Sequence, residues 1–562
     1  MKLTASDWRF LLIAGLLLCL AGALVARLLT LQVLDGDKGF AFLQNAGNDR
    51  SIRTVVSSSH RGMITDRNGK PLAISTPVVS IWLNPQELLG QREEWRRIAA
   101  TAGIAENTLA RKLEANANKE FIYLRRHLPP AKAQKILDLG IVGVYSRGEY
   151  KRFYPAGEVT AHLLGFTDID ERGVEGLELA YNGWLSGQSG AKRILQDRYG
   201  KVIQHLELVD EASDGKDMAL SIDMRLQYHA YRELKSAIKR FKAKSGSVVV
   251  LDTVSGEVLA MVNQPSYNPN QRLHLTPSAM RNRAMTDVLE PGSTIKPLTM
   301  VAALESGQYT PNSLIDTRPG YITVEGKKLA DHSNNGVIDL TTILQKSSQV
   351  GTSKIALSLA DGAVRDVLRR VGLGEPPSTG FPGESAGILP DYMQWHPLHT
   401  VTMAYGYGLS LSPLQLAQTY NVLANRGVKK DTSLLKRETA APAERVIDAA
   451  VADRVDAMLQ AVTGKGGTAT RARVANYLVA GKTGTLHKVG SAGYEDSRYI
   501  SVFAGYAPAS NPRLVAAIVI DDPAGDAYFG GQVAAPLFSK VMSESLRLLN
   551  VPPDAMQFAG PI

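Results

Sequence analysis

The sequence predicts an α+β protein hung from a membrane by a single N-terminal helix. Three observations carry that expectation: an uncharged apolar stretch at residues 10–26, a mixed region of short strand-like and helical runs over 35–216, and a C-terminal region, 217–562, in which helical patterns alternate with strand runs that suggest an antiparallel sheet. At 562 residues the chain is too long for one ordinary domain. Hydrophobic residues make up 44% and charged ones 21%, near globular averages, which argues against collagen-like, wholly disordered and polytopic membrane classes. The formal charge of +9 is a mild bias towards anionic surfaces and does not specify nucleic acid. One cysteine, Cys19, excludes an intramolecular disulfide framework and a Cys-rich zinc site.

In the first element the apolar character resumes after Arg27 through Leu28, Leu29, Leu31 and Val33. A bilayer takes about 20 residues to cross, so the span places Trp8 at one interface and Arg27 snorkelling at the other. Lys2 and Arg9 precede it, and the positive-inside tendency keeps the tail cytoplasmic and exports the body. A cleaved signal peptide is the rival, with Ala21-Gly22-Ala23 as its site, but the apolar pattern continues past that point. Leu18 before Cys19 argues against a lipoprotein.

Over 35–216 the helical run 106–118 and the turn signals Arg67-Asn68-Gly69 and Pro129-Pro130 stand out, with no repeat. The composition turns polar at Ser213-Asp214-Gly215-Lys216, which gives three parts: 1–34, 35–216 and 217–562. After that boundary come an amphipathic helix over 225–239 and a β-hairpin over 247–262 that turns at Thr253-Val254-Ser255-Gly256. Strand runs at 499–506 and 514–521 complete the antiparallel sheet.

The chemistry begins with Ser-x-x-Lys, whose spacing puts a hydroxyl and its base on one helix face. The pattern occurs at Ser189, Ser213, Ser236, Ser293 and Ser433, and context selects Ser293. It follows Glu290-Pro291-Gly292 and precedes an apolar helical run over 298–304 that stops at Gly307, while Pro297 is harmless in a first turn. A helix N-terminus favours an alkoxide and, with burial, a lowered Lys296 pKa. On this element alone, Ser293 as a mere N-cap stands equally open.

A second element, Ala480-Gly481-Lys482-Thr483-Gly484-Thr485, reads as a strand with Thr483 and Thr485 on one face. Two hydroxyls beside an ammonium suit a carboxylate, and Gly484 admits another backbone. A P-loop needs glycine where Asn476 stands, so the nucleotide reading fails. A third element closes a helix over 340–346: Ser347-Ser348-Gln349, where Ser347 can relay a proton and Gln349 can hydrogen-bond an amide.

In this order, Ser293-Thr294-Ile295-Lys296, Ser347-Ser348-Gln349 and Lys482-Thr483-Gly484 resemble the three active-site motifs of the penicillin-binding proteins. Thr286-Asp287-Val288-Leu289-Glu290-Pro291-Gly292 and Tyr407-Gly408-Leu409-Ser410 resemble the division-specific class B type, penicillin-binding protein 3. Arg61-Gly62-Met63-Ile64-Thr65-Asp66-Arg67-Asn68-Gly69, Arg152-Phe153-Tyr154-Pro155 and Gly173-Val174-Glu175-Gly176-Leu177-Glu178 resemble the class B pedestal. The resemblance implies an N-terminal anchor, a pedestal, and a transpeptidase domain with a central antiparallel sheet flanked by helices. It implies serine acylation by a D-alanyl-D-alanine stem peptide, transfer to an acceptor amine, and β-lactams as inhibitors.

Carried over by position, Ser293 is the nucleophile, Lys296 its base, Ser347 the proton shuttle and Lys482 the group that polarises it. Thr483 and Thr485 hold the terminal carboxylate, and the amides of Ser293 and Thr485 form an oxyanion hole, each donor contributing about 3 kcal/mol. No metal or other cofactor is needed. Gln349 departs from the family's asparagine by one methylene, and an error of about 1 Å can cost ~100-fold in rate; a change of substrate or β-lactam preference is therefore expected. Ser333-Asn334-Asn335 is the alternative Ser-x-Asn. A D,D-carboxypeptidase or β-lactamase-like hydrolase and a weakly catalytic scaffold are the competing functions. His487, His396 and His399 stay outside the site, and the cluster at 150–154 reads as a packed, salt-bridged surface. The expected partners are stem peptides and nascent glycan, a separate membrane glycosyltransferase and other divisome proteins, at the septum of a bacterial inner membrane with the body in the periplasm.

Overall fold

The computed structural model describes residues 5–33, 40–57, 59–196, 202–273, 275–490 and 493–555. Helix α1 (Ala5–Gln32) is rich in leucine and alanine, both strong helix formers. Its stretch Trp8–Gln32 is long and apolar enough to cross a membrane, and its most apolar window has no buried residue.

The described chain forms two compact units whose segments alternate along the sequence. One gathers the residues up to 61 with 77–151 and 186–215; the other takes 62–76, 152–185 and 216 onward. In the first unit, helices Arg92–Ala102, Glu106–Glu114 and Pro130–Leu137 bury Trp95, Ile98, Leu109, Leu113 and Ile136 against Ile81, Leu83, Ile122 and Leu124. A separate antiparallel sheet joins Ile52–Ser57, Gly190–Gln196 and Val202–Asp210 in that order.

Two short segments of the N-terminal half belong to the second unit for a visible reason. Arg67 N–H donates to Ile222 O at 2.9 Å and Leu220 N–H to Thr65 O at 2.9 Å, while Asn270 Nδ2 donates to Tyr154 O at 2.9 Å and the Tyr267 hydroxyl to Ala161 O at 3.0 Å; within the second segment Arg152 Nε lies 2.7 Å from Glu178 Oε1 in a fully buried pair. Ser75 Oγ accepts from Arg152, and the Tyr154 hydroxyl donates to Glu178. Burying this pair is tolerable only because each charge is matched and hydrogen-bonded. The basic-aromatic cluster is thus packed at Arg152 and Tyr154, while Phe153 stays exposed.

The second unit is built on strands β1 (Ser245–Asp252), β2 (Val258–Gln264), β3 (Ala480–Gly490), β4 (Gly493–Ala507) and β5 (Leu514–Asp521), antiparallel in the order β2-β1-β5-β4-β3. Every residue of β1 and β2 is buried, which explains why these strands read as apolar runs and not as alternating ones. The helices that matter here are α2 (Met224–Phe241), α3 (Lys296–Glu305), α4 (Leu340–Lys346), α5 (Gln349–Ser358) and α6 (Gly530–Leu548). α2 and α6 pack together against the sheet, and Pro413–Ala424 packs on its other side. The edge strand β3 runs beside a 3-10 turn, Gly292–Ile295, that leads into α3.

Candidate active site

Ser293 lies in that turn, three residues ahead of the first α-helical residue, Lys296. Its side chain caps nothing, and it makes no hydrogen bond to a described residue, so the N-cap reading has no support in the geometry. Pro297 occupies the first helical turn, where its missing N–H leaves no bond unmade. Gly292 holds φ +53, and a Cβ there would run into Leu486 Cδ2, so the bend favours glycine.

Lys296 is 2% and Lys482 0% exposed, and both reach Ser347. Lys296 Nζ donates to Ser347 O at 2.6 Å and lies 3.3 Å from Ser347 Oγ; Lys482 Nζ is 3.0 Å from the same hydroxyl and donates to Thr483 O at 3.2 Å. Ser347 is the residue that makes this possible. It ends α4 in the left-handed region, φ 59 and ψ 37, which turns both its carbonyl and its hydroxyl towards the lysines. A non-glycine residue in that region carries a strain of order 1 kcal/mol or more, held by the surrounding contacts.

Burial lowers the Lys296 pKa to about 7, opposed by the negative charge of Asp331. Burial, aided by the neighbouring Lys296 charge, also holds Lys482 well below the usual lysine range. Two ammonium groups sharing one hydroxyl in a dry site disfavour double protonation, so a neutral amine is available near pH 7.

The threonines of β3 lie on one face, as period 2 requires. Thr483 Oγ1 donates to Thr468 Oγ1 at 3.1 Å, and Thr485 Oγ1 accepts from Gly530 N–H at 2.9 Å. Gly484 sits between them, where an added Cβ would lie 3.1 Å from Thr294 Cγ2 and 3.2 Å from Pro291 O. Its lack of a side chain is what lets β3 approach the Ser293 turn.

The third motif is organised by a residue that sequence reasoning did not single out. Asp331 accepts from Ser348 Oγ at 2.5 Å, from Gln349 N–H at 2.5 Å and from Val350 N–H at 3.0 Å, so its carboxylate caps α5 while its charge acts on Lys296. Asn335 Nδ2 also donates to it, at 3.0 Å. The alternative Ser333-Asn334-Asn335 therefore supports the motif at 347–349 from outside; the lysines meet Ser347. Gln349 directs its side chain to the Tyr405 hydroxyl. Thr468 was missed as well, since nothing local distinguishes it. His487 contacts Glu495 O and the Tyr499 ring, and His399 stacks on Tyr392, so both lie off the lysine cluster.

Comparison with known proteins places this arrangement in context. Residues 246–543 match the penicillin-binding protein transpeptidase domain, and residues 56–220 match the penicillin-binding protein dimerisation domain. The probable peptidoglycan D,D-transpeptidase PbpC of Pseudomonas aeruginosa is 44% identical over 551 residues, covering 98% of this chain and 97% of the relative. Peptidoglycan D,D-transpeptidase FtsI of Escherichia coli K12 is 41% identical over 555 residues, covering 98% and 93%. Among solved structures, penicillin-binding protein 3 of Mycobacterium tuberculosis, complexed with aztreonam, aligns with TM-score 0.69 at 28% identity over 89% of this chain and 98% of that one.

Proposed function

Because this chain belongs to the penicillin-binding protein family of peptidoglycan transpeptidases, we propose that it cross-links septal peptidoglycan by serine acyl transfer at the cleft described above. The observation that carries the reading is the meeting of two buried lysines, one from α3 and one from β3, on the hydroxyl of Ser347 beside the Ser293 turn.

Neutral Lys296 takes the proton of Ser293 Oγ as that oxygen attacks the carbonyl of the penultimate D-alanine. The amides of Ser293 and Thr485 receive the developing oxyanion, an interaction of about 3 kcal/mol per donor. The proton passes through Ser347, polarised by Lys482, to the departing amine of the terminal D-alanine, and the ester to Ser293 remains. An acceptor amine then attacks that ester, the same groups return the proton in the opposite sense, and a new amide links two strands. Thr483 and Thr485 hold the terminal carboxylate of the donor. A β-lactam enters the same path and stops at the ester.

Residues 1–34 anchor the chain in the inner membrane with the tail cytoplasmic. Residues 35–216 form the periplasmic pedestal and 217–562 the catalytic part. Anchor and pedestal together offer the surface for a membrane glycosyltransferase and other divisome proteins. The test is product analysis with a D-Ala-D-Ala donor and an amine acceptor: cross-linked dimer supports the reading, while free alanine without dimer would turn it into a hydrolase.

A further inference from the structure

Behind the Ser293 turn the second unit contains a cavity of about 350 Å³, at the end of the sheet where β1, β3, β4 and β5 come together. None of Ser293, Lys296, Ser347 or Lys482 lines it, so it is not the acylation cleft. Its size falls within the range of small-molecule sites, which begins at about 300 Å³. The apolar part of the wall comes from Val288, Leu486, Ile500 and Val519. Charges of both signs complete it. Lys488 Nζ lies 2.5 Å from Asp521 Oδ1, and Ser245 Oγ donates to the other oxygen of that carboxylate, Oδ2, at 3.1 Å; Arg283 Nε lies 3.8 Å from Asp287 Oδ2. Ser410, also in the wall, has a buried hydroxyl with no hydrogen-bond partner among the described residues. A buried hydroxyl left unpaired is costly, and a ligand group that bonds it recovers that loss.

The cavity touches the reaction machinery at two places. Leu486 lines it and also packs against Gly292, the residue before Ser293. Leu289 and Glu290, also in the wall, belong to the segment that enters the Ser293 turn, and Glu290 is tied to Gly408 N–H at 2.9 Å and to the Tyr494 hydroxyl at 2.9 Å. A ligand that moves Leu486 therefore presses on the nucleophile's turn and on the strand that carries Thr485 at once.

We propose that this cavity binds a small zwitterionic amphipath of dipeptide size, its carboxylate towards Lys488 and Arg283, its ammonium towards Asp287 and Asp521 and its apolar body against Leu486 and Ile500, and that occupancy alters the rate of Ser293 acylation. The charge pattern selects this class: with Lys488 paired to Asp521 and Arg283 and Arg281 to Asp287, a zwitterion can set each of its charges beside one of opposite sign, whereas a singly charged guest meets a charge of its own sign in each pair and a purely apolar one leaves the Ser410 hydroxyl unbonded. The second half of the proposal rests on Ser293 as nucleophile; the first does not.

The test uses the full-length chain in detergent with alanyl-phenylalanine as the probe and its N-acetylated, C-amidated form as the uncharged control. Calorimetric titration is expected to detect the free dipeptide and to find the capped one about tenfold weaker or absent. Ile500→Trp, which fills the cavity from a half-exposed position, and Lys488→Gln, which removes one cation, each weaken binding about tenfold. Saturating probe changes the rate of fluorescent-penicillin labelling of the native chain and not of Ile500→Trp. Equal binding by native and both variants, or equal binding of free and capped dipeptide, overturns the site. Binding with an unchanged labelling rate overturns the coupling. A native chain that takes no penicillin label counts instead against the acyl-transfer reading, and the titration still decides the cavity.

Discussion

Replacing Asp331 by asparagine separates two roles that its carboxylate plays at once. The side chain keeps its shape and loses its charge: the remaining oxygen can still accept from Gln349 N–H and Val350 N–H as neutral bonds, but the NH2 that replaces the other oxygen can no longer accept from Ser348 Oγ or Asn335 Nδ2. Charged acceptors contribute about 1.5–3 kcal/mol per bond and neutral ones roughly half, so the N-terminus of α5 loosens by at least about 2 kcal/mol. Ser347 and Gln349 sit at that N-terminus, and a displacement of order 1 Å there lowers acylation about 100-fold. The charge has the opposite effect on the base. Asp331 raises the Lys296 pKa against the burial that depresses it to about 7, so its removal lowers that pKa further. Acylation requires neutral Lys296 and rises with pH through its pKa, hence the acid limb of the variant's profile moves to lower pH. The assay is the second-order rate of fluorescent-penicillin labelling from about pH 5 to about pH 9. A smaller plateau with an acid limb displaced downward is expected. An acid limb that stays in place or moves upward refutes the electrostatic link, and an unchanged plateau refutes the positioning role.

Lys296→Arg preserves the charge but cannot supply a neutral amine near pH 7, and labelling is expected to fall by at least ~1000-fold without loss of the folded near-ultraviolet spectrum. Lys296→Met removes a buried amine whose pKa is lower in the folded state, at about 7, than in the unfolded chain. The unfolded native chain binds more protons between that pKa and the ordinary lysine value of about 10.4, so native stability climbs with pH across this window. The methionine variant lacks that slope and melts at higher temperature near pH 7, as calorimetry at several pH values reads. Gly484→Ala places a methyl group 3.1 Å from Thr294 Cγ2 and 3.2 Å from Pro291 O, separating β3 from the nucleophile's turn; labelling is expected to drop about tenfold or more while far-ultraviolet circular dichroism is kept.

Much of the site was legible because its signals are local. The Ser293 turn follows from a glycine bend, a Ser-x-x-Lys spacing and a proline tolerated in a first helical turn, all within one segment. The strand at 480–485 follows from its apolar lead-in, yet it runs on to Gly490, because β4 pairs with it down to Gly493 and pairing partners are not visible in a single stretch. Asp331 and Thr468 act only through contacts made in the fold, with α5 and with Thr483, so no spacing or composition rule marks them. The same reason hides the alternating course of the two units. Residues 62–76 and 152–185 look like their neighbours in composition, and only long-range partners such as Ile222 and Asn270 assign them. The left-handed turn at Ser347, which aims one hydroxyl at two lysines, was likewise invisible, since serine carries no preference strong enough to announce it.

The most direct test of the central claim is the mass of the adduct formed with a penicillin, mapped by proteolysis on the full-length chain. The account predicts one penicilloyl group on the peptide that contains Ser293, absent in Ser293→Ala. An adduct on another residue, or one that persists undiminished in Ser293→Ala, contradicts it.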